Sequence, residues 1–306
     1  MKHNMQKLQE LAVRNGPLCV GLDTDPSYIP ECVRKNYDSP AEAVLAYNKE
    51  IISRVASGQS ACCFKVQIAY YEAMGLAGMA AYAQTLKAVR ESGLICISDI
   101  KRGDIANTAS AYAKAHFTGE FETDIITVNP YMGFDTLKPF TEYAEKNGKG
   151  LFVLLRTSNP GMTDIEQQEL KDGSFVLDRV GGELDRLASE FASVYEGQTC
   201  SPVGAVVGCT EEQNARMLRE AHPDVFFLIP GYGAQGGAAR IAATLLLKAG
   251  GTVNSSRGIL CAWKKSPTCL EKEQAGTLTM DDLGDAAGAA ALAAKNDLEQ
   301  ALRELA

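Results

Sequence analysis

Eight short apolar runs, each separated from the next by a segment of helical period, constrain this chain more than any other feature. They are LCVGLD (18–23), ACCFKVQ (61–67), LICISDIK (94–101), DIITVNP (124–130), GLFVLLRTS (150–158), PVGAVVGCT (202–210), VFFLIPGYG (225–233) and GGTVNSSRGIL (250–260). Between them lie segments such as AEAVLAYNKEIISRVAS (41–57) and MAAYAQTLKAVRES (79–92), and an Ala-rich tail from Asp285 to Ala306 closes the series. Strands that are apolar nearly throughout are buried on both faces, and helices between them supply the cover, so the sheet is parallel. Eight such units predict a (β/α)8 TIM barrel of the α/β class. With 306 residues the chain exceeds the roughly 250 of a typical barrel. It reads as a single barrel domain over 1–306 with loop insertions near 24–40, 160–175 and 262–281, where Pro, Gly, Asp and Ser interrupt both periods. A doubly wound open sheet is the structural alternative, but no GxGxxG follows the first strand.

Composition narrows the class of function. Hydrophobic residues at 46% and charged residues at 22% are ordinary for a globular chain and exclude disorder or a fibrous role. No apolar run approaches the ~18 residues of a membrane span, and the start, MKHNMQKLQELAVRNG, has no apolar signal core, so a cytoplasmic location is expected. The net charge of −8, with basic residues scattered, argues against a nucleic-acid partner. Cys19, Cys62, Cys63, Cys96, Cys209 and Cys261 fall within or beside apolar runs, without zinc-ligand spacing, and are read as reduced buried thiols. His3, His116 and His222 end no strand, which argues against a histidine triad or a zinc site. No metal ligand set is assigned.

In such a barrel the reacting groups sit at the C-terminal ends of the strands. Asp23 closes the first run and Lys65 lies in the second. Asp99 and Lys101 close the third, with Asp104 following at the start of the next helix. In SDIKRGDIANT, Asp99 and Lys101 are two apart and share one face of a strand, so both point into the barrel mouth. With Lys65 and Asp104 they form an alternating acid and base set; the plainer reading is a helix-capping Asp beside an exposed Lys-Arg pair. In IPGYGAQGG (229–237), glycines let backbone N–H groups approach an anion, and Arg257 after the eighth strand offers a planar fork for a phosphate. A flexible turn and a surface charge are the alternatives there. Ser158 in RTSNPG can pair with a polar ring edge or simply belong to a turn, and Asp23 can meet a sugar hydroxyl or cap the turn after it. Trp263, Lys264 and Lys265 read as a solvated edge.

The motifs VGLD, FKVQIAYYE, SDIKRGDIANTASAYA, TVNPYMG, LLRTSNPG, PGYGAQGG and SSRGI, in that order, resemble the orotidine 5′-phosphate decarboxylase family, and its larger bacterial subgroup above the others. The resemblance implies decarboxylation of orotidine 5′-monophosphate to uridine 5′-monophosphate without a cofactor. It implies Lys101 as proton donor to C6, Asp99 facing the substrate carboxylate, and Lys65 and Asp104 completing a charged tetrad. It also implies Asp23 at the ribose, Ser158 at the pyrimidine, and Gln235, Gly236 and Arg257 at the phosphate. A homodimer follows by the same route, with Asp104 and Thr108 reaching the neighbouring subunit's site. Three other readings stay open: a Mg²⁺-dependent sugar-phosphate decarboxylase or formaldehyde-condensing synthase, a Schiff-base aldolase using Lys65 or Lys101, and a non-catalytic nucleotide-binding barrel. The last would have no need of both lysines and both aspartates.

Overall fold

The structure, a computed structural model, describes residues 1–232 and 238–305. Its centre is a closed barrel of eight parallel strands in sequence order: β1 Leu18–Leu22, β2 Cys63–Gln67, β3 Ile95–Arg102, β4 Ile125–Val128, β5 Gly150–Arg156, β6 Val203–Val207, β7 Phe227–Ile229 and β8 Gly251–Ser255. The ladder closes between β8 and β1, where Leu18 stands beside Val253 and Val20 beside Ser255. β1, β4, β6, β7 and β8 are buried at every position, the two-faced burial expected of strands wrapped by helices. Among the described residues no helix is long and apolar enough to cross a membrane.

The helix Asn4–Asn15 precedes β1 and is tied to the N-terminal ends of the strands. The Asn4 amide donates to Gly148 O, just before β5, and Gln9 Nε2 donates to Ala249 O, just before β8. His3 caps this helix. Its Nδ1 accepts from Gln6 N at 3.1 Å, so the ring proton sits on Nε2, which donates to Cys200 O at 2.9 Å. At the other end of the chain, the helix Met280–Leu305 lies against the helix Pro40–Ser57, with Arg54 bridging to Asp281 and Asp285.

The three segments expected as insertions carry short elements of their own. A 3-10 turn Pro26–Tyr28 and a helical turn Glu31–Arg34 occupy the first, the turn Pro160–Asp164 the second, and the turn Ala262–Lys265 with the helix Pro267–Gln274 the third. The first and third meet at Trp263, which is 5% exposed and donates from Nε1 to Tyr28 O at 2.8 Å. Trp263 is therefore a packing anchor between two insertions, and only Lys264 and Lys265 keep the expected solvated edge.

Two runs are shorter as strands than the sequence suggests. β7 stops at Ile229 because Pro230 has no N–H for the ladder and Gly231 turns to φ +88°. β8 stops at Ser255, and residues 257–260 make one helical turn, so Arg257 opens a helix instead of ending a strand. All nine cysteines are free thiols, and Cys19, Cys62, Cys63, Cys96, Cys200 and Cys269 are buried.

Candidate active site

The mouth of the barrel gathers charge at the ends of its first three strands. Register places Lys65 beside Gly21 of β1 and Gln67 beside Asp99 of β3, so inward side chains from three strands converge. Lys65 Nζ lies 2.9 Å from Asp23 Oδ1 and 3.0 Å from Asp99 Oδ2, and Lys101 Nζ lies 2.6 Å from Asp99 Oδ1. The result is an unbroken alternation of Asp23, Lys65, Asp99 and Lys101. Lys65 and Asp99 are nearly buried, while the Lys101 side chain is 46% exposed and is the member that reaches into open space.

Burial on its own would neutralise these groups, and their mutual attraction prevents it. For Asp99, desolvation pushes the pKa up, but the ammonium groups of Lys65 and Lys101 and their hydrogen bonds outweigh it and hold the value at about 2. For Lys65, desolvation pulls the pKa down, yet Asp99 and Asp23 together move it above the ordinary lysine value. Both groups stay ionised across the physiological range.

Neutral side chains complete this half of the site. Gln67 Nε2 donates to Asp99 Oδ2 at 3.0 Å, and Thr127 Oγ1 of β4 donates to Asp99 Oδ1 at 2.9 Å. Ser256 Oγ donates to Asp23 Oδ2 at 2.8 Å and is itself held by Asn254 Nδ2. That reach over β1 depends on Gly21. A Cβ there would stand 2.1 Å from Ser256 Oγ, so the glycine of VGLD makes room for the group that orients its aspartate. Gly103 of KRGD plays a comparable part, since a Cβ would lie 2.7 Å from Asn129 O at the end of β4.

None of Gln67, Thr127, Asn254 and Ser256 was singled out from the sequence. Gln67 follows Lys65 by two in one strand, the same spacing that marks Asp99 and Lys101, and that signal would have found it. Thr127 stands as the one hydroxyl in an otherwise apolar β4, but its role depends on register.

The other expected residues are placed differently. Asp104 accepts from the Ile105 amide beside it and makes no ion pair with a described residue. Ile105 is 53% exposed, and Thr108 is also exposed in the first turn of the helix Ala106–Phe117, so this edge of the mouth faces outward. Ser158 is exposed in the bend after β5 and packs on the end of β6, where a Cβ on Gly208 would meet its Cβ at 2.9 Å. Arg257 is exposed and makes no ion pair with another described residue; its neighbour Ser256 binds Asp23, which ties its turn to the charged half of the mouth. Gln235 and Gly236, with Gly233 and Gly237, lie outside the described residues.

Comparison with known proteins identifies the family of this barrel. Residues 16–266 match the model of the "Orotidine 5'-phosphate decarboxylase / HUMPS family". The chain is 51% identical over 259 residues to an orotidine 5′-phosphate decarboxylase of Clostridium perfringens, covering 84% of this chain and 88% of that one. It is 49% identical over 264 residues to one of Clostridium botulinum, covering 85% and 90%. The solved structure of Leishmania donovani OMP decarboxylase superposes with a TM-score of 0.66 at 28% identity, over 89% of this chain and 98% of that one. A match across most of the barrel, at half identity over nearly the full length of such relatives, means that the chain belongs to the orotidine 5′-phosphate decarboxylase family.

Proposed function

We propose that this enzyme decarboxylates orotidine 5′-monophosphate to uridine 5′-monophosphate and CO₂, a step of pyrimidine biosynthesis, with Lys101 as the proton donor. The observation that carries the reading is the alternating Asp23, Lys65, Asp99 and Lys101 array at the mouth, with one ammonium half exposed above a buried carboxylate. Loss of CO₂ from C6 leaves a carbanion with no adjacent carbonyl to delocalise it. An ammonium beside C6 supplies the stabilising charge and then the proton, forming the C6–H bond and leaving a neutral lysine. Lys101 is suited to this because its amine is accessible while Lys65 is locked between two carboxylates.

Asp99 faces the carboxylate that leaves. Two carboxylates ~4 Å apart repel by about 4 kcal/mol at an effective dielectric of 20, and release of CO₂ relieves that repulsion. A pKa held at about 2 keeps Asp99 charged for the task. Asp23 meets the ribose, Ser158 the pyrimidine ring, and Gln235, Gly236 and Arg257 the phosphate, whose clamping directs binding energy from the remote end to the reacting end. Asp104 and Thr108 serve the site of a second copy in a homodimer; their outward placement beside the exposed Ile105 supports this. The chemistry asks for no metal or organic cofactor, and the location is cytoplasmic.

The alternative to this reading is the Mg²⁺-dependent sugar-phosphate chemistry weighed from the sequence. An ultraviolet assay of the purified protein with orotidine 5′-monophosphate, with and without EDTA, separates them. Rapid, EDTA-insensitive loss of the orotate chromophore is expected. A folded protein that leaves the chromophore intact sinks the reading.

A further inference from the structure

We propose that Thr127 is a positioning residue of the reaction, holding the Asp99 carboxylate and the Lys101 backbone in one fixed relation while the Lys101 amine moves to substrate. The inference rests on the decarboxylase reading and extends it to a residue on a fourth strand.

Hydrogen-bond accounting at Thr127 leaves no freedom. A threonine hydroxyl has one proton to donate and two lone pairs to accept with. Here Ile100 N donates to Oγ1 at 3.0 Å and Lys101 N donates to it at 2.9 Å, filling both lone pairs. The hydroxyl proton must then point at the remaining partner, Asp99 Oδ1, 2.9 Å away. Because the direction is forced, Thr127 requires an acceptor at Oδ1 and therefore favours the ionised carboxylate.

Those two amide bonds fall where the β3 backbone leaves regular strand geometry. The β3–β4 register shifts between Ser98 and Arg102, and Lys101 takes φ +45°, a left-handed conformation that non-glycine residues seldom adopt. Inside this bulge the amides of residues 100 and 101 donate to the Thr127 hydroxyl. The bulge lifts Lys101 out of the regular ladder at the mouth, and one hydroxyl holds it there.

Asp99 is equally complete. Lys101 Nζ and Thr127 Oγ1 donate to Oδ1, while Lys65 Nζ and Gln67 Nε2 approach Oδ2, two donors on each oxygen. Of the four, Lys101 is the one whose side chain is substantially exposed and can leave for C6. When it does, Thr127 is the partner that remains on Oδ1 and keeps the carboxylate from rotating toward solvent. A Val at this position would preserve shape but leave one buried amide, one part-buried amide and one carboxylate oxygen short of a partner.

Thr127→Val and Thr127→Ser separate this role from simple packing. Misplacement of reacting groups by ~1 Å costs about 10²-fold in rate, so Val should lower kcat by about that factor while KM for orotidine 5′-monophosphate moves by no more than ~3-fold. Ser keeps the hydroxyl and should restore kcat to within ~3-fold of the parent. Amide hydrogen exchange gives a readout independent of turnover: Ile100 and Lys101 should exchange at least ~10-fold faster in the Val protein and as in the parent with Ser. Should Val fail to fold, Thr127→Ala removes the same hydroxyl without needing space. Unchanged kcat in folded Val or Ala protein overturns the proposal, and so does loss of kcat in Ser equal to that in Val. If the parent itself does not consume orotidine 5′-monophosphate, the decarboxylase reading falls, and unchanged exchange at residues 100 and 101 then overturns the Thr127 assignment by itself.

Discussion

The two halves of the barrel mouth are built on opposite principles. Around β1 to β4 the charged groups lie in the strands or directly after them, with Asp99 and Lys65 nearly buried and fixed by several partners each. Around β7 and β8 they belong to turns. β7 is three residues long, Arg257 is exposed on a one-turn helix, and it has no ion pair with a described residue. The first half holds its charges at fixed distances, with Lys65 and Asp99 nearly buried, which is what the proposed carbanion chemistry would demand. In the second, Arg257 is exposed and unpaired among the described residues, as the proposed phosphate contact requires. Preorganisation belongs where charge changes during reaction, and accessibility where a ligand must enter and leave.

The largest expected effect breaks the first half at its exposed member. On the proposed reading Lys101→Ala removes the proton donor and the positive charge beside C6, and should lower turnover by at least about 10⁴-fold. Because Asp99 retains Thr127, Gln67 and Lys65, the protein should keep its fold, checked by its melting temperature, and still bind uridine 5′-monophosphate. Near-normal turnover would remove Lys101 from the chemistry and the contrast between the halves with it.

A smaller effect tests the other half. Arg257→Ala should weaken binding of uridine 5′-monophosphate by about 10- to 100-fold, the size of a lost charge-assisted contact. Uridine, lacking the phosphate, should bind the variant and the parent alike. The melting temperature should not move, since the exposed guanidinium makes no ion pair with another described residue. Calorimetric titration of both ligands decides it, and equal nucleotide affinity in variant and parent would show that the phosphate is held elsewhere.

Legibility in the sequence follows the same division. The eight apolar runs specify the closed barrel because burial on both faces leaves a plain hydrophobic signature in each strand. Asp99 and Lys101 were legible because a spacing of two fixes a common face, and Lys65 because it lies in a strand of the same mouth. What the sequence withheld depends on register and loop geometry. Thr127 meets Asp99 across a bulge, Ser256 reaches Asp23 over Gly21, and Trp263 is buried because two distant insertions meet on it. Arg257 was found by type, but Ser256, at φ −111° and ψ −82°, breaks the strand before it and sets it on a helical turn. Asp104 was named by motif, but among the described residues it makes no ion pair with the array and accepts only from the Ile105 amide.

The smallest expected effect sharpens the contrast through acid stability. The Asp99 pKa is lowered from 3.8 to about 2, so its pairing stabilises the fold above pH ~4 and the contribution fades as pH falls through about 2. At 1.36 kcal/mol per unit the full contribution is about 2 kcal/mol, with about 1 kcal/mol already gone near pH 3. His3 and His116, whose pKa values burial lowers to about 4, also cost stability on acidification, but over the window from 6.5 down to 4. They are common to parent and variant and cancel in the difference. Urea unfolding of the parent and of Asp99→Asn at pH 5, 4 and 3 should therefore show the parent's advantage shrinking by about 1 kcal/mol between pH 5 and 3. Arg257→Ala, measured beside them, should track the parent at every pH. Parallel curves for the parent and Asp99→Asn would mean that Asp99 gains nothing from its four donors, whereas a departure of the Arg257 variant would mean that the phosphate half is paired in the folded protein after all.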